Sequence, residues 1–356
     1  MPSPKSSSKS RTSRRPGKGV KPSTPLWKTL LLLALLLVFA AVGGFGYWAS
    51  QPITLRESPL EVHVPAGSGV RAAVRAMRDA GVSIDPNLFV LLARLTRAEN
   101  AIKAGSYELQ SGVTPWSLLN RLSQGKVSQA EIVFPEGWTF RQLRARVDAH
   151  PELAHETAGW TDAEILRRIG ASEAHPEGLF FPDTYLIDKR SSDLDLYARA
   201  YRTMRRQLDY VWQQRDPAIP LKTPYQALTL ASIVEKETGR DADRPMVAAV
   251  FVNRLNKGML LQTDPTVIYG LGEKFDGNLR RRDLETDTPY NTYTRAGLTP
   301  TPIAMPSLAS LLAATQPATT RALYFVARGD GTSEFSETLE AHNRAVQRFQ
   351  LQQGRK

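Results

Sequence analysis

One uncharged segment, Leu30–Ala49, constrains this chain more than any other feature of its sequence. Its twenty residues, at about 1.5 Å each, make a helix of about 30 Å, the hydrocarbon thickness of a bilayer. Trp27 precedes the segment and Tyr47 and Trp48 end it, as aromatic side chains do at membrane interfaces. We therefore predict a retained transmembrane helix over residues 29–49. The alternative is a cleaved signal peptide, which usually has a shorter apolar region and a shorter leader than the 28 residues here.

The basic charge of the chain is concentrated before this segment. The formal net charge is +11, from 46 Lys and Arg against 35 Asp and Glu, and residues 1–28 contain eight of the basic residues and no acid. By the positive-inside rule, we predict that residues 1–28 form a disordered cytoplasmic tail and that residues 50–356 lie outside the cell (inner) membrane. The charge of that outer part is nearly balanced. A membrane-anchored DNA-binding protein therefore has little support, and we predict no nucleic-acid partner.

The residue types and motifs that the sequence lacks exclude several kinds of site. There is no cysteine, so disulfides, thiolate metal sites and cysteine nucleophiles are excluded. The five histidines form no H-E-x-x-H pattern, and neither a phosphate-binding glycine loop nor a G-x-S-x-G turn occurs. Nothing in the sequence therefore points to a metal site or to a nucleotide cofactor.

The rest of the chain has the patterns of a mixed α+β protein. Strand alternation and helical spacing predict a small α+β unit over residues 50–130, with a helix at 70–80, and a larger, helix-rich α+β unit over residues 131–356. In the larger unit we predict a helix at 225–237. Residues 258–306 are rich in Thr, Pro, Asn, Gly and Tyr, which predicts a loop-rich segment there.

Two glutamates close the helix predicted at 225–237. Glu237 continues an apolar stripe with Ile233 and Val234, whereas Glu235 lies on a less apolar row of the same helix. A carboxyl group beside apolar side chains is partly desolvated, which raises its pKa and suits a general acid. Spacing alone also allows, and by itself favours, two solvated glutamates at the end of the helix.

Two of the predicted loops have residue types that suit sugar binding. Residues 262–266 (QTDPT) and 289–293 (PYNTY) combine aromatic rings with amides and hydroxyl groups. Long irregular segments of this kind often have a function. The alternative is a pair of structural loops that are packed by their own aromatic side chains.

Several segments of the chain belong to one recognisable pattern. They read KAGSYEL (103–109), FPEGWT (134–139), EGLFFPDTY (177–185), ALTLASIVEKET (227–238), VAAVFVNRL (247–255), LQTDPTVIYG (261–270), DLETDTPYNTY (283–293) and LYFVARGDG (323–331). In this order, over residues 60–350 and after one N-terminal anchor, they resemble the MltG/YceG family of endolytic murein transglycosylases.

The resemblance implies an organisation and an activity. It implies a single-pass membrane protein with a LysM-like subdomain at 50–130 and a catalytic domain at 131–356. It implies cleavage between N-acetylmuramic acid and N-acetylglucosamine within nascent peptidoglycan strands, which leaves 1,6-anhydro-muramyl ends. Such an enzyme is a lyase, and it is thought to end glycan elongation near the peptidoglycan synthases, which are its expected partners.

The resemblance also bears on the choice of catalytic residue. In other lytic transglycosylase families the acid is a Glu-Ser pair that follows an Ile by four residues, and here Glu237-Thr238 follows Ile233 by that spacing. We therefore predict Glu237, rather than Glu235, as the single general acid and base, with no metal ion or cofactor. Further residues are predicted to position substrate or to support Glu237; they are Gln262, Thr263, Asn291, Tyr293 and Glu177.

Two other functions stay open at this point. A hydrolytic muramidase would need a second carboxylate about 5–9.5 Å from the first, and Glu177, Asp264 and Glu285 are the candidates. A non-catalytic scaffold that binds the cell wall and recruits synthases would need only the LysM-like part.

Overall fold

The computed structural model describes residues 26–351 and begins with helix α1 (Leu26–Ser50). This helix is long and apolar enough to cross a membrane, and nearly all of it is exposed in the isolated chain. It begins at Leu26, so Leu26–Lys28 belong to the helix and not to the tail in which we predicted them. Residues 1–25 of the predicted tail lie outside the described residues. Length and composition fit a membrane anchor and a signal sequence alike, so retention of α1 stays a prediction.

A small α+β unit follows α1. Its elements are β1 (Thr54–Leu55), β2 (Leu60–Val64), α2 (Val70–Ala80), β3 (Val82–Ser83), α3 (Pro86–Leu95), β4 (Gly105–Leu109) and α4 (Pro115–Gln124). Strands β2 and β4 pair antiparallel, as do β1 and β3. Alternate residues of β2 (Leu60, Val62 and Val64) are buried, as strand geometry requires, and α2 packs against this strand.

The end of α1 is part of this small unit. Ala49 belongs to the apolar core of the unit, and Phe45 and Trp48 pack against that core. The backbone N–H of Ile53 donates to the carbonyl of Val113 at 2.7 Å, close to the start of α4. Helix α1 therefore continues into a folded unit and does not end in a free linker.

The larger unit contains most of the helices. Its elements are β5 (Gln129–Val133), α5 (Phe140–Asp148), β6 (Leu153–Ala154), α6 (Asp162–Arg168), β7 (Thr184–Asp188), β8 (Ser191–Ser192), α7 (Asp193–Gln213), α8 (Pro224–Glu237), α9 (Arg244–Asn256), α10 (Asp264–Leu271), α11 (Arg281–Glu285), α12 (Leu308–Thr315), β9 (Tyr324–Ala327), β10 (Ser333–Ser336) and α13 (Leu339–Val346). A 3₁₀ turn (Gly272–Lys274) follows α10, and a π turn (Gln347–Leu351) follows α13. Strands β5 and β7 pair antiparallel, β9 and β10 antiparallel, and β6 and β8 parallel.

Helix α8 lies at the centre of this unit. It packs against α7, α9, α10 and α12, and every residue from Ala227 to Val234 is buried. A helix that is apolar on all sides needs neighbours on all sides. The apolar stripe of Ile233 and Val234 is buried as predicted, and the rows on both sides of that stripe are also covered.

Residues 258–306 are rich in loops, as predicted, but they also contain two short helices, α10 and α11. Helix α10 begins at Asp264, inside the segment 262–266 that we predicted to be irregular, so that prediction was wrong in part. Residues 264–271 read DPTVIYGL, with few strong helix formers. Their helix is stabilised by tertiary contacts, since Thr266 and Val267 are buried and α10 packs against α8. Local propensity could not predict a helix whose stability comes from packing.

Polar contacts join the two units near residue 189. The hydroxyl group of Ser106 in β4 donates to the carbonyl of Lys189 at 2.9 Å. The ammonium group of Lys189 lies 3.2 Å from Glu61 and 3.6 Å from Glu152, one carboxylate in each unit. The small unit is thereby attached directly to the unit that contains α8.

Candidate active site

The two glutamates that close the predicted helix, Glu235 and Glu237, lie in the last turn of α8. Thr223 caps the start of the helix, since its side chain accepts from the backbone N–H of Gln226, and Pro224 lies in the first turn. It ends because Thr238 is extended, with φ −144° and ψ 131°. The end of a buried helix thus places two carboxyl groups, two residues apart, at the edge of the core.

Glu235 is fully occupied by structural contacts. Its Oε2 accepts from the backbone N–H and the hydroxyl group of Ser307 at 2.9 and 2.6 Å, and Ser307 caps the start of α12. Its Oε1 lies 3.3 Å from the guanidinium group of Arg244. The side chains of both members of this ion pair are nearly buried, at 6% and 5% exposed. The alternative of two solvated glutamates at the helix end is therefore wrong for Glu235, because α12 covers that side of α8.

Glu237 has a different environment. It is partly buried, and its Oε1 accepts a hydrogen bond from the hydroxyl group of Thr263. Burial raises the pKa of Glu237 to about 6, and the negative charge of Asp264 acts in the same direction. The Thr263 hydrogen bond and the cationic Arg254 oppose this rise of the pKa. The carboxyl group is therefore protonated in a large fraction of molecules near pH 6, as a general acid must be.

The segment that presents Thr263 is held by a second loop. Gln262, which is exposed, has a left-handed φ of 49°, and its backbone N–H donates to the carbonyl of Thr292 at 3.1 Å. The backbone N–H of Thr263 donates to the hydroxyl group of Thr292 at 3.1 Å. The hydroxyl groups of Thr266 and Thr292 lie 2.9 Å apart. The two predicted sugar-binding loops, at 262–266 and 289–293, are therefore in contact beside Glu237.

Asn291 organises the second of these loops. It is 1% exposed, and its side-chain amide donates to the carbonyls of Asp283, Leu284 and Thr286 at 3.3, 2.9 and 2.7 Å. Its side-chain oxygen accepts from the backbone N–H of Tyr293 at 2.9 Å. With its polar atoms used in this way, Asn291 supports the loop instead of offering a free group to a ligand.

Tyr293 and Asp264 form a polar pair next to Glu237. The phenol of Tyr293 donates to Oδ1 of Asp264 at 2.5 Å. Burial, this hydrogen bond and the charges of Asp264 and Glu237 all raise the pKa of Tyr293, so the phenol keeps its proton. Among the three candidate second carboxylates, Asp264 is the one whose charge acts on Glu237.

Arg254 is a site residue that sequence reasoning missed. Its guanidinium group donates to the carbonyls of Leu261 and Leu323 at 2.7 Å each, and it lies 5.2 Å from the ring centre of Tyr324. It thereby ties α9 to β9 and to the segment that leads to Thr263. The signal was available: the segment VAAVFVNRL has one cation among seven apolar residues and one Asn, and a cation in such an apolar segment needs buried partners.

Glu177 lies in a separate cleft beside this site. It is 3% exposed, and its Oε1 accepts from the backbone N–H of Phe140 at 2.9 Å while its Oε2 accepts from the phenol of Tyr269 at 3.0 Å. Burial raises the pKa of Glu177 to about 7, although both hydrogen bonds oppose that rise. Glu177 is therefore a second titratable carboxyl group near neutral pH.

The cleft around Glu177 has a volume of about 680 Å³. Its wall includes Tyr269, Tyr290 and Phe275, with Arg141 and His175 as polar groups. Lys236 and Pro265 also line it, and these residues adjoin Glu237 and Asp264 in the chain. The cleft thus combines aromatic faces with polar groups alongside the Glu237 site, as carbohydrate-binding surfaces do.

The other predicted features are placed as follows. Glu285 is at the surface, 62% exposed and 2.7 Å from Arg281. The FPEGWT segment reaches the end of α8, where Lys236 donates to the carbonyl of Gly137 at 3.2 Å. Within residues 26–351, no group of three or more His, Asp or Glu side chains is arranged to hold a metal ion.

Known proteins are similar to this chain over most of its length. The sequence model of the YceG-like family matches residues 62–348 of this chain. An endolytic murein transglycosylase of Bacillus subtilis is 31% identical over 311 residues, which cover 82% of this chain and 85% of that protein. An endolytic murein transglycosylase of Streptococcus pneumoniae R6 is 29% identical over 88% of this chain and 63% of its own, longer sequence.

One solved structure agrees with the architecture. The crystal structure of a YceG-like protein from Listeria monocytogenes has 31% sequence identity with this chain and a TM-score of 0.50. The match covers 80% of this chain and 98% of that one.

Proposed function

Because the chain belongs to the YceG-like family, we propose that it is an endolytic murein transglycosylase, a lyase that cleaves peptidoglycan glycan strands. The observation that carries this proposal is the carboxyl group of Glu237, partly buried at the end of a buried helix and with a raised pKa. A protonated carboxyl group at a loop-rich surface can give its proton to a glycosidic oxygen. The aromatic cleft beside it gives a sugar strand a surface to bind.

We propose that Glu237 acts first as acid and then as base. It donates its proton to the oxygen that links N-acetylmuramic acid to the next sugar, and an oxocarbenium-like state forms at C1 of the muramyl residue. The Glu237 carboxylate then takes the proton of the C6 hydroxyl group of the same sugar, whose oxygen attacks C1. The product is a 1,6-anhydro-muramyl end. Since the nucleophile belongs to the substrate, its effective concentration is high and no second carboxylate is needed.

The neighbours of Glu237 have supporting roles in this proposal. Thr263 fixes one oxygen of the carboxyl group and stabilises its ionised form. Arg254 holds the Thr263 segment in place, and Asn291 holds the loop that carries Tyr293. Glu177 and the exposed Gln262 are proposed to contact the glycan. Glu235 is assigned a structural role, because both of its oxygens are already bound within the protein.

One observation favours a hydrolytic muramidase as the second candidate. The charge of Asp264 raises the pKa of Glu237, so a second carboxylate lies in the neighbourhood of the first. In a hydrolase, such a group would activate water or form a covalent intermediate. The products separate the two functions, since only transglycosylation leaves an anhydro end.

Product analysis tests the proposal directly. We expect the full-length protein in detergent to convert polymeric peptidoglycan into fragments with anhydro-muramyl ends, which are lighter by one water than reducing ends in mass spectra. We also expect no heavy oxygen in the new ends when digestion is run in oxygen-18-labelled water. Labelled reducing ends would instead identify a hydrolase and direct attention to Asp264.

The acid role of Glu237 predicts a pH dependence. Because Glu237 must be protonated in the free enzyme, we expect kcat/KM to fall as the pH rises through about 6. Thr263→Val removes the hydrogen bond that favours the ionised form, so the pKa of Glu237 rises. The falling limb of the pH profile of kcat/KM should therefore shift to a pH about one unit higher. The measurement is the rate of release of soluble fragments from labelled peptidoglycan as a function of pH.

A matched variant controls for the other titrating carboxyl group. Tyr269→Phe removes a hydrogen bond from Glu177, which raises the pKa of Glu177 and leaves the contacts of Glu237 intact. The falling limb should keep its wild-type position in Tyr269→Phe. If the falling limb of the pH profile shifted in Tyr269→Phe and kept its position in Thr263→Val, the titrating group would be Glu177 and not Glu237.

We also propose where the protein works. Helix α1 is a retained anchor, the basic residues before it lie in the cytoplasm, and the two folded units lie outside the cell membrane. The small unit at residues 50–130 is a LysM-like module that binds glycan, and the unit from residue 131 onward is catalytic. Peptidoglycan synthases, which supply nascent strands at the same membrane face, are the proposed protein partners.

A further inference from the structure

Trp116 is an exception among the aromatic residues of the small unit. Trp116 is 50% exposed, whereas Phe89 and Tyr107 are 0% and 1% exposed. It stands in the first turn of α4 (Pro115–Gln124), next to the buried Pro115. A half-exposed tryptophan, with an apolar ring and one N–H donor, suits the boundary between membrane and water better than it suits bulk water.

The position of α4 places Trp116 near that boundary. Helix α4 packs against α1, and among the residues of α1 it is the last turns, Phe45 to Ala49, that reach the core of the small unit. If α1 crosses the membrane, those turns lie at its outer surface, where Tyr47 is exposed. The hydrogen bond from Ile53 to Val113 fixes the chain just before α4 at the same level.

The charge of this surface is compatible with lipid headgroups. Residues 109–130, which include the whole of α4, contain Arg121 and Lys126 and no Asp or Glu. Acidic groups would be repelled by anionic headgroups, while basic groups near the surface are attracted. Residues 50–130 contain nine Lys and Arg against six Asp and Glu. The net charge of the small unit is therefore positive, and anionic headgroups do not repel it.

We propose that the small unit rests on the outer surface of the membrane through the first turn of α4, with the Trp116 ring among the lipid headgroups. This inference depends on α1 being a retained anchor, as proposed above. Because Ala49 is packed into the core of the unit, α1 and α4 form one body. The contact therefore sets the height and orientation of the larger unit, and hence of Glu237, above the membrane.

The absence of cysteine from the chain allows a direct test. Single-cysteine variants of the full-length protein are labelled with a nitroxide and reconstituted into vesicles of phosphatidylethanolamine with a minority of phosphatidylglycerol. Trp116→Cys is the test position, and Tyr47→Cys at the end of α1 is the reference for the membrane interface. Tyr210→Cys in α7 is the aqueous control, since Tyr210 is aromatic and 52% exposed like Trp116. Circular dichroism and melting curves establish that each variant folds like the wild type.

The readout is collision of the nitroxide with oxygen, which concentrates in lipid, relative to collision with a water-soluble nickel chelate. We expect the ratio at position 116 to be close to that at position 47 and several-fold above that at position 210. A ratio at 116 equal to that at 210 would overturn the proposal, and so would shielding from both reagents, which would indicate a protein contact. An aqueous ratio at position 47 would instead show that α1 is not in the membrane, so failure of the anchor is distinguishable from failure of the contact.

Discussion

Glu237→Gln is expected to reduce peptidoglycan cleavage by about 100- to 10,000-fold, the range by which a general acid and base accelerates such reactions. Glutamine has nearly the same shape, and its side-chain oxygen can still accept from Thr263, so the fold should be retained. The loss should therefore appear in kcat while the melting temperature stays within a few degrees of wild type. Fragment release from labelled peptidoglycan and differential scanning calorimetry measure the two effects.

The same variant separates the enzyme from a scaffold. If the protein only recruits partners to the cell wall, Glu237→Gln should complement a deletion strain as well as the wild type does. If cleavage is its function, the variant should accumulate normally at the membrane and fail to complement. Wild-type cleavage by purified Glu237→Gln would refute the role proposed for this residue.

The second large effect is expected at Glu235, and it is an effect on stability. Glu235→Ala leaves the nearly buried guanidinium group of Arg244 with Asp241, whose side chain is 85% exposed, and it leaves Ser307 without its acceptor. Removing one partner of a buried ion pair costs about 3–5 kcal/mol. We expect the free energy of unfolding of the larger unit to fall by about that amount, measured by urea denaturation followed by circular dichroism.

Two further variants identify the cause of this destabilisation. Glu235→Gln keeps an acceptor for Ser307 and loses only the charge, so it should be less destabilised than Glu235→Ala. The double variant Glu235→Leu with Arg244→Met removes both charges and should regain part of the lost stability. If Glu235→Ala melted like the wild type but had no activity, Glu235 and not Glu237 would be the residue that performs the chemistry.

The sequence predicted the environment of Glu237 better than that of Glu235. Helical spacing placed both at the end of α8 and put Glu237 on the more apolar row, although spacing alone favoured two solvated glutamates. Glu237 is partly buried and its pKa is raised, while its catalytic role stays a prediction. The spacing argument did not detect that Glu235 is also buried. The group that covers it, Ser307, is 72 residues away in the chain.

The sequence by itself determined the features that depend on neighbouring residues. The apolar run of α1, the apolar pattern of α8 and the series of motifs were enough to predict a membrane-length helix, a mixed α+β fold and the family. Each follows from local periodicity or from short strings of residues, which can be read without knowing what packs against them.

Only the tertiary structure decided which groups meet. The contacts of Glu237 with Thr263, of Glu177 with Phe140 and of Glu235 with Ser307 join residues 26, 37 and 72 positions apart. Helix α10, weak in propensity, forms because α8 and the core cover it. Burial, pKa and hydrogen-bond partners depend on such distant contacts. The physical reason is that desolvation depends on every atom around a group, whereas periodicity records only the neighbours of that group along the chain.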